Sequence, residues 1–155
     1  SPGRGGSDKP GDGHDPKGLP PLAPLAYPVA MRLAHITLPV SDIPRAKAFY
    51  QRLGFRLIVE SGHYCRFQVG ETATTLSIHA HEGPITPSGE VGIVFESAAA
   101  LDSILEDVSA QGVVAEAPVD QSWLWRESRV RDPDGHTVLL MYAGENHLNP
   151  PWRVG

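Results

Sequence analysis

Apolar and polar residues begin to alternate at Met31, and the same order of elements then runs twice. Residues 32–39 read as a strand, with Leu33, His35, Thr37 and Pro39 on one face and Ala34, Ile36 and Leu38 on the other. Helical spacing follows, carried by Ile43, Ala46, Phe49, Tyr50 and Leu53. Ser41 or Asp42 can cap that helix, Pro44 suits its first turn, and Gly54 ends it. Strands are expected at residues 55–60, 64–69 and 74–79, divided by turns at Ser61-Gly62 and Gly70-Glu71.

After a linker loop the order restarts. A strand at 91–96 precedes an amphipathic helix marked by Leu101, Ile104, Leu105 and Val108 and stopped by Gly112. Strands at 113–117, 127–131 and 137–142 complete the set. Strand, helix and three strands therefore recur at a period of roughly 57 residues, and such internal repetition decides the fold class before any single motif does. The expected architecture is α+β, built from two βαβββ modules. The modules fall at residues 31–80 and 91–145, joined by a loop at 81–90 and followed by a tail at 146–155. Residues 1–30 are rich in Gly, Pro, Asp and Ser and carry no period, so they read as a disordered leader or an added tail. His14 lies there, away from any expected site.

Composition narrows the classes. Thirteen basic and 18 acidic side chains give a formal charge of −5 and no basic stripe, which argues against a nucleic-acid partner. No apolar run reaches the roughly 18 residues of a membrane span. The one cysteine, Cys65, excludes an internal disulfide and fits a cytoplasmic protein. Its place opposite Tyr64 and Arg66 on a strand makes it a small core residue.

The segment from Ser122 to Met141, SWLWRESRVRDPDGHTVLLM, reads as a hairpin. Pro133 presets the turn, Asp132 can bond forward to the backbone, and Gly135 accepts a positive φ at the exit. The turn thus explains the paired carboxylates Asp132 and Asp134. A Trp-x-x-Arg-Glu segment, a strand, Asp-Pro-Asp-Gly and a closing apolar strand resemble the last hairpin of the vicinal oxygen chelate superfamily. That group holds glyoxalase I, bleomycin-resistance proteins, fosfomycin-resistance enzymes and extradiol dioxygenases. The resemblance covers about residues 32–142 and implies a glyoxalase/bleomycin-resistance/dioxygenase fold. In that fold two modules form a cup-shaped sheet around a small-molecule cavity, with helices on the outer face, often across a homodimer interface.

The resemblance also implies where a metal would sit, on the first and last strand of each module. Those positions here are His35 and Gly92, and Ser77 and Leu139. Only His35 is a good ligand, since glycine and leucine offer no donor and a serine hydroxyl is a poor one. His79 lies two residues past Ser77 on the same face, so His35 and His79 are the candidate metal pair. A divalent ion such as Fe, Mn, Ni or Zn then needs a further donor, from Glu90, Glu127, a neighbouring loop or the partner subunit. The expected state is metal-free.

Candidate ligand contacts are His35, Thr37, Tyr64, Arg66, Ser77, His79, Trp123, Trp125 and Arg126. Trp123 and Trp125 can stack on a planar ligand, and Arg126 can pair with a carboxylate or phosphate. The plainer readings are a tryptophan covering the open end of a sheet, His35 hydrogen-bonding a ligand or a neighbour, His79 at a strand end near solvent, and Tyr64 and Arg66 on the solvated side. His63, His81, His136 and His147 fall in turns or the tail and read as surface residues. Two functions from different classes emerge. One is a bleomycin-resistance-like protein that sequesters an aromatic or cationic natural product. The other is a lyase, isomerase or ring-cleaving oxygenase that uses His35 and His79 on a metal, or His35 as a general base without one.

Overall fold

The computed structural model describes residues 31–155, so the expected leader at 1–30 and His14 lie outside the described residues. The first module holds β1 (His35–Val40), α1 (Ile43–Arg52), β2 (Arg56–Glu60), β3 (Tyr64–Gln68) and β4 (Thr75–Ala80). The second holds β5 (Glu90–Val94), α2 (Ala98–Ala110), β6 (Val119–Asp120), β7 (Arg126–Arg131) and β8 (Thr137–Tyr142). The sheets run in the order β1-β4-β3-β2 and β5-β8-β7-β6, with the first strand parallel to the last in each.

Local chemistry sets the helix ends. The Asp42 carboxylate accepts from the Arg45 backbone N–H at 2.9 Å, with Pro44 in the first turn. Ser97 caps α2 in the same way through the Ala100 N–H, at 3.0 Å. Ile43, Ala46, Phe49 and Tyr50 turn inward from α1, and Leu101, Leu105 and Val108 from α2. Tyr50 lies among the rings of Phe49, Phe55 and Phe67, at centroid distances of 5.0, 5.7 and 5.9 Å.

These side chains join Phe67, Leu76 and Ile78 of the first sheet and Val130, Val138 and Leu140 of the second in one continuous core. The modules are therefore united through their helix-bearing sides, within a compact unit spanning Leu33–Gly155. The Asp132–His136 turn fastens the junction. Tyr50 donates to Asp132 at 2.7 Å, Ser41 donates to Asp134 at 2.6 Å, and the His136 ring meets the Pro39 carbonyl at 2.7 Å. His136 is buried, not the surface residue the turn motif implies.

One expected strand is misplaced in the sequence reading. Residues 113–117 form only an isolated bridge, Ala115 to Val130, and the edge strand is Val119–Asp120. Pro118 has no N–H to continue the ladder, so pairing with β7 breaks and resumes beyond it. The Ser128 hydroxyl caps the gap by donating to the Glu116 carbonyl at 2.6 Å.

Candidate functional site

Each sheet has a second face, away from the helices. On the first sheet, strand alternation puts His35, Thr37, Tyr64, Arg66, Ser77 and His79 on that face, together with Gln68 and Arg56. Six of the expected contact residues are thus brought together. Ser77 is fully buried beneath Tyr64, whose hydroxyl lies 2.7 Å from its Oγ. Arg66 donates from Nε to the Tyr64 hydroxyl at 2.9 Å and holds its guanidinium 5.5 Å from the ring centre. Burial pushes the Tyr64 phenol up, but hydrogen bonds with Ser77 and Arg66 and the charge of Arg66 outweigh it and leave the pKa lowered. Behind this face Cys65 is buried, and burial pushes its thiol up, which suits a core residue.

The second sheet shows a different free face. Leu139 and Met141 are covered there by Trp125 and Ala143, and the Trp125 ring meets His147 edge-on at 5.7 Å. Trp123 donates from its indole N–H to Glu127 at 3.3 Å. Arg129 bridges two carboxylates, Glu90 at 3.1 Å and the buried Glu127 at 3.2 Å. Both tryptophans lie on the Glu127 side, though not by simple alternation. They occupy a turn in which Leu124 takes a φ of 67°. Arg126 has the other orientation, with its guanidinium gripping Asp102 of α2 at 3.0 Å and Asp120 at 3.3 Å. Arg129 escaped the sequence reading, although counting alternate residues on from Trp125 reaches it.

Register tests the metal positions. His35 pairs with Thr75, and His79 with Pro39, four residues further along the parallel ladder. At about 3.3 Å per residue that is about 13 Å, too far for two parallel side chains to share an ion bonded at about 2.1 Å. The register also makes Glu90 the counterpart of His35, each facing a threonine on the module's last strand. Gly92 instead corresponds to Thr37. Among the described residues no three His, Cys, Asp or Glu side chains group as a metal site. The described donors of one chain therefore do not fit the metal implied by the fold. No helix among the described residues is long and apolar enough to cross a membrane.

Residues 32–140 match the model of the Glyoxalase/Bleomycin resistance protein/Dioxygenase superfamily. The chain belongs to that superfamily. Solved structures agree on the fold. A glyoxalase/bleomycin resistance protein/dioxygenase from Nocardioides aligns with TM-score 0.66 and 16% identity, over 84% of this chain and 93% of that one. A lactoylglutathione lyase from Agrobacterium tumefaciens gives 0.62 and 18%, over 75% and 96%. A bleomycin-binding protein complexed with bleomycin gives 0.60 and 22%, over 73% and 98%. No curated protein matches the chain.

Proposed function

We propose that this chain is a small-molecule binding protein whose cup is completed by a second copy of itself. The free face of the first module in one chain would meet the free face of the second module in the other. The observation that carries this is the way the modules join. Their helix sides are spent on one shared core, and among the described residues no hydrogen bond, ion pair or ring contact links the two free faces. His35, Thr37 and Arg66 stay exposed on the first face, and Trp123 on the second. The faces also differ in charge: Arg56 and Arg66 make the first cationic, while on the second Glu90 and Glu127 are balanced by Arg129 and Arg131.

The ligand is a planar organic compound, stacked on Trp123 or Trp125 and bordered by His35, Thr37 and Tyr64. The superfamily relative solved with bleomycin supports sequestration as the role. The buried thiol of Cys65 is compatible with a cytoplasmic setting. Two measurements test this reading. Sedimentation should show a dimer, and planar aromatic compounds should quench tryptophan fluorescence in the wild type. Trp123→Phe/Trp125→Phe should lose the added compound's effect. A monomer at high concentration, with no quenching from any planar compound, would overturn it.

The Tyr64, Ser77 and Arg66 triplet favours a second reading, an enzyme of the lyase, isomerase or oxygenase kind. A phenol with a lowered pKa, held by a serine and an arginine, is a ready proton carrier, and His35 is the other candidate base. Turnover of a bound planar compound, lost in Tyr64→Phe or His35→Ala while binding persists, would establish it.

A further inference from the structure

We propose that the first face of the cup is an anion-recognition face, and that the ligand is an aromatic carboxylate whose carboxyl group is bound by Arg66. This rests on the binding function above and names the chemical class it serves.

The charges on this face are of one sign. The chain carries a net charge of −5, yet no strand position on this face among the described residues is Asp or Glu. What stands there is Arg56, Arg66, His35 and His79, interspersed with hydroxyl and amide side chains. The strand carboxylate of the first sheet, Glu60, pairs with Cys65 on the other face and bonds to Lys47 of α1 at 2.8 Å. Arg66 is therefore without a carboxylate partner among the described residues. Its Nε–H goes to Tyr64, and among the described residues its terminal nitrogens keep their N–H donors. Those donors form the planar fork that matches a carboxylate.

Position supports the same class. Arg66 lies at the middle of the face, directly across from Ser77, which pairs in turn with Thr37. The bond to Tyr64 restrains its long side chain before any ligand arrives, so less freedom is lost on binding. The opposite face of the cup offers a cation little. Glu127 is buried and bonded to both Arg129 and Trp123, and Glu90 is bonded to Arg129. A cationic natural product, which the overall negative charge invites, finds no unpaired carboxylate there. An aromatic acid finds a guanidinium on one wall and indoles on the other.

A matched pair of probes decides the matter. Naphthoate and naphthylmethylamine share a ring system and differ in charge, and naphthalene itself supplies a neutral reference. Calorimetric titration of the full chain should show naphthoate binding about tenfold or more tightly than the amine. Arg66→Gln should weaken naphthoate by about tenfold more than it weakens naphthalene. Arg66→Lys should recover part of the loss, because charge returns without the fork. The inference is overturned if the amine binds as tightly as naphthoate, or if Arg66→Gln leaves naphthoate binding intact. Binding by naphthalene or the amine with none by naphthoate removes the anion assignment alone. No binding by any of the three removes the planar-ligand reading as well.

Discussion

The Tyr50 hydroxyl donates a 2.7 Å hydrogen bond to the Asp132 carboxylate, joining α1 of the first module to the last hairpin of the second across 82 residues. Both groups are buried, at 0% and 4% exposure. The other oxygen of Asp132 accepts from the backbone of Asp134 and His136, so the same side chain shapes the turn and ties the modules. Tyr50→Phe would leave a buried carboxylate oxygen without its donor. The expected loss is about 1–3 kcal/mol, measured by urea denaturation.

The same pair gives an alkaline signature. Burial first, then the charge of Asp132 and its hydrogen bond, push the Tyr50 phenol far above the ordinary 10.0. A raised pKa means the folded state holds its proton where the unfolded chain releases it. That stability is complete below the ordinary value and drains as pH rises past it. The wild type should lose stability more steeply than Tyr50→Phe above a pH of about 10. Parallel curves for the two proteins would refute the assignment.

Gly135 has a φ of 86°, and a Cβ there would come 3.3 Å from Pro87. Gly135→Ala therefore meets both backbone strain and a tight neighbour at the junction. A loss of about 1–2 kcal/mol is expected from the left-handed backbone alone, read as a drop in melting temperature.

Tyr64 should titrate below a free tyrosine. The shift has the opposite sign to that of Tyr50, so its contribution to stability is present above the ordinary value and lost as pH falls through the folded value. Tyrosinate absorbance should show one group ionising early. Removing the hydrogen bond with Ser77→Ala, or the charge with Arg66→Gln, should move it upward. An unchanged titration in both variants would show that neither neighbour acts on the phenol.

Adding zinc, manganese, nickel or ferrous ion should leave the melting temperature unchanged, in wild type and in His35→Ala/His79→Ala alike. The two histidines lie at separate points of the ladder. A shift dependent on both would mean that the partner chain brings donors to them.

The sequence by itself determined the elements and their order. Alternation and helical spacing are local properties of backbone geometry, so they gave both helices and β8 to the residue. They also gave the pairing of His35 with Thr37, of Tyr64 with Arg66 and of Ser77 with His79 on one face of each strand, while only strand pairing put all six on the same face of the sheet. The Asp132–Gly135 turn was legible for the same reason. Register was not legible, because it depends on which residues of distant strands pair, and it is register that separates His35 from His79 and matches Glu90 to His35. Partners were not legible either: both orientations of Arg126 suit the pattern, and only packing set it on Asp102 instead of the cup. Tertiary structure alone decided that the helix sides of the modules share one core, since that choice follows from which apolar surfaces meet, and no local spacing encodes it.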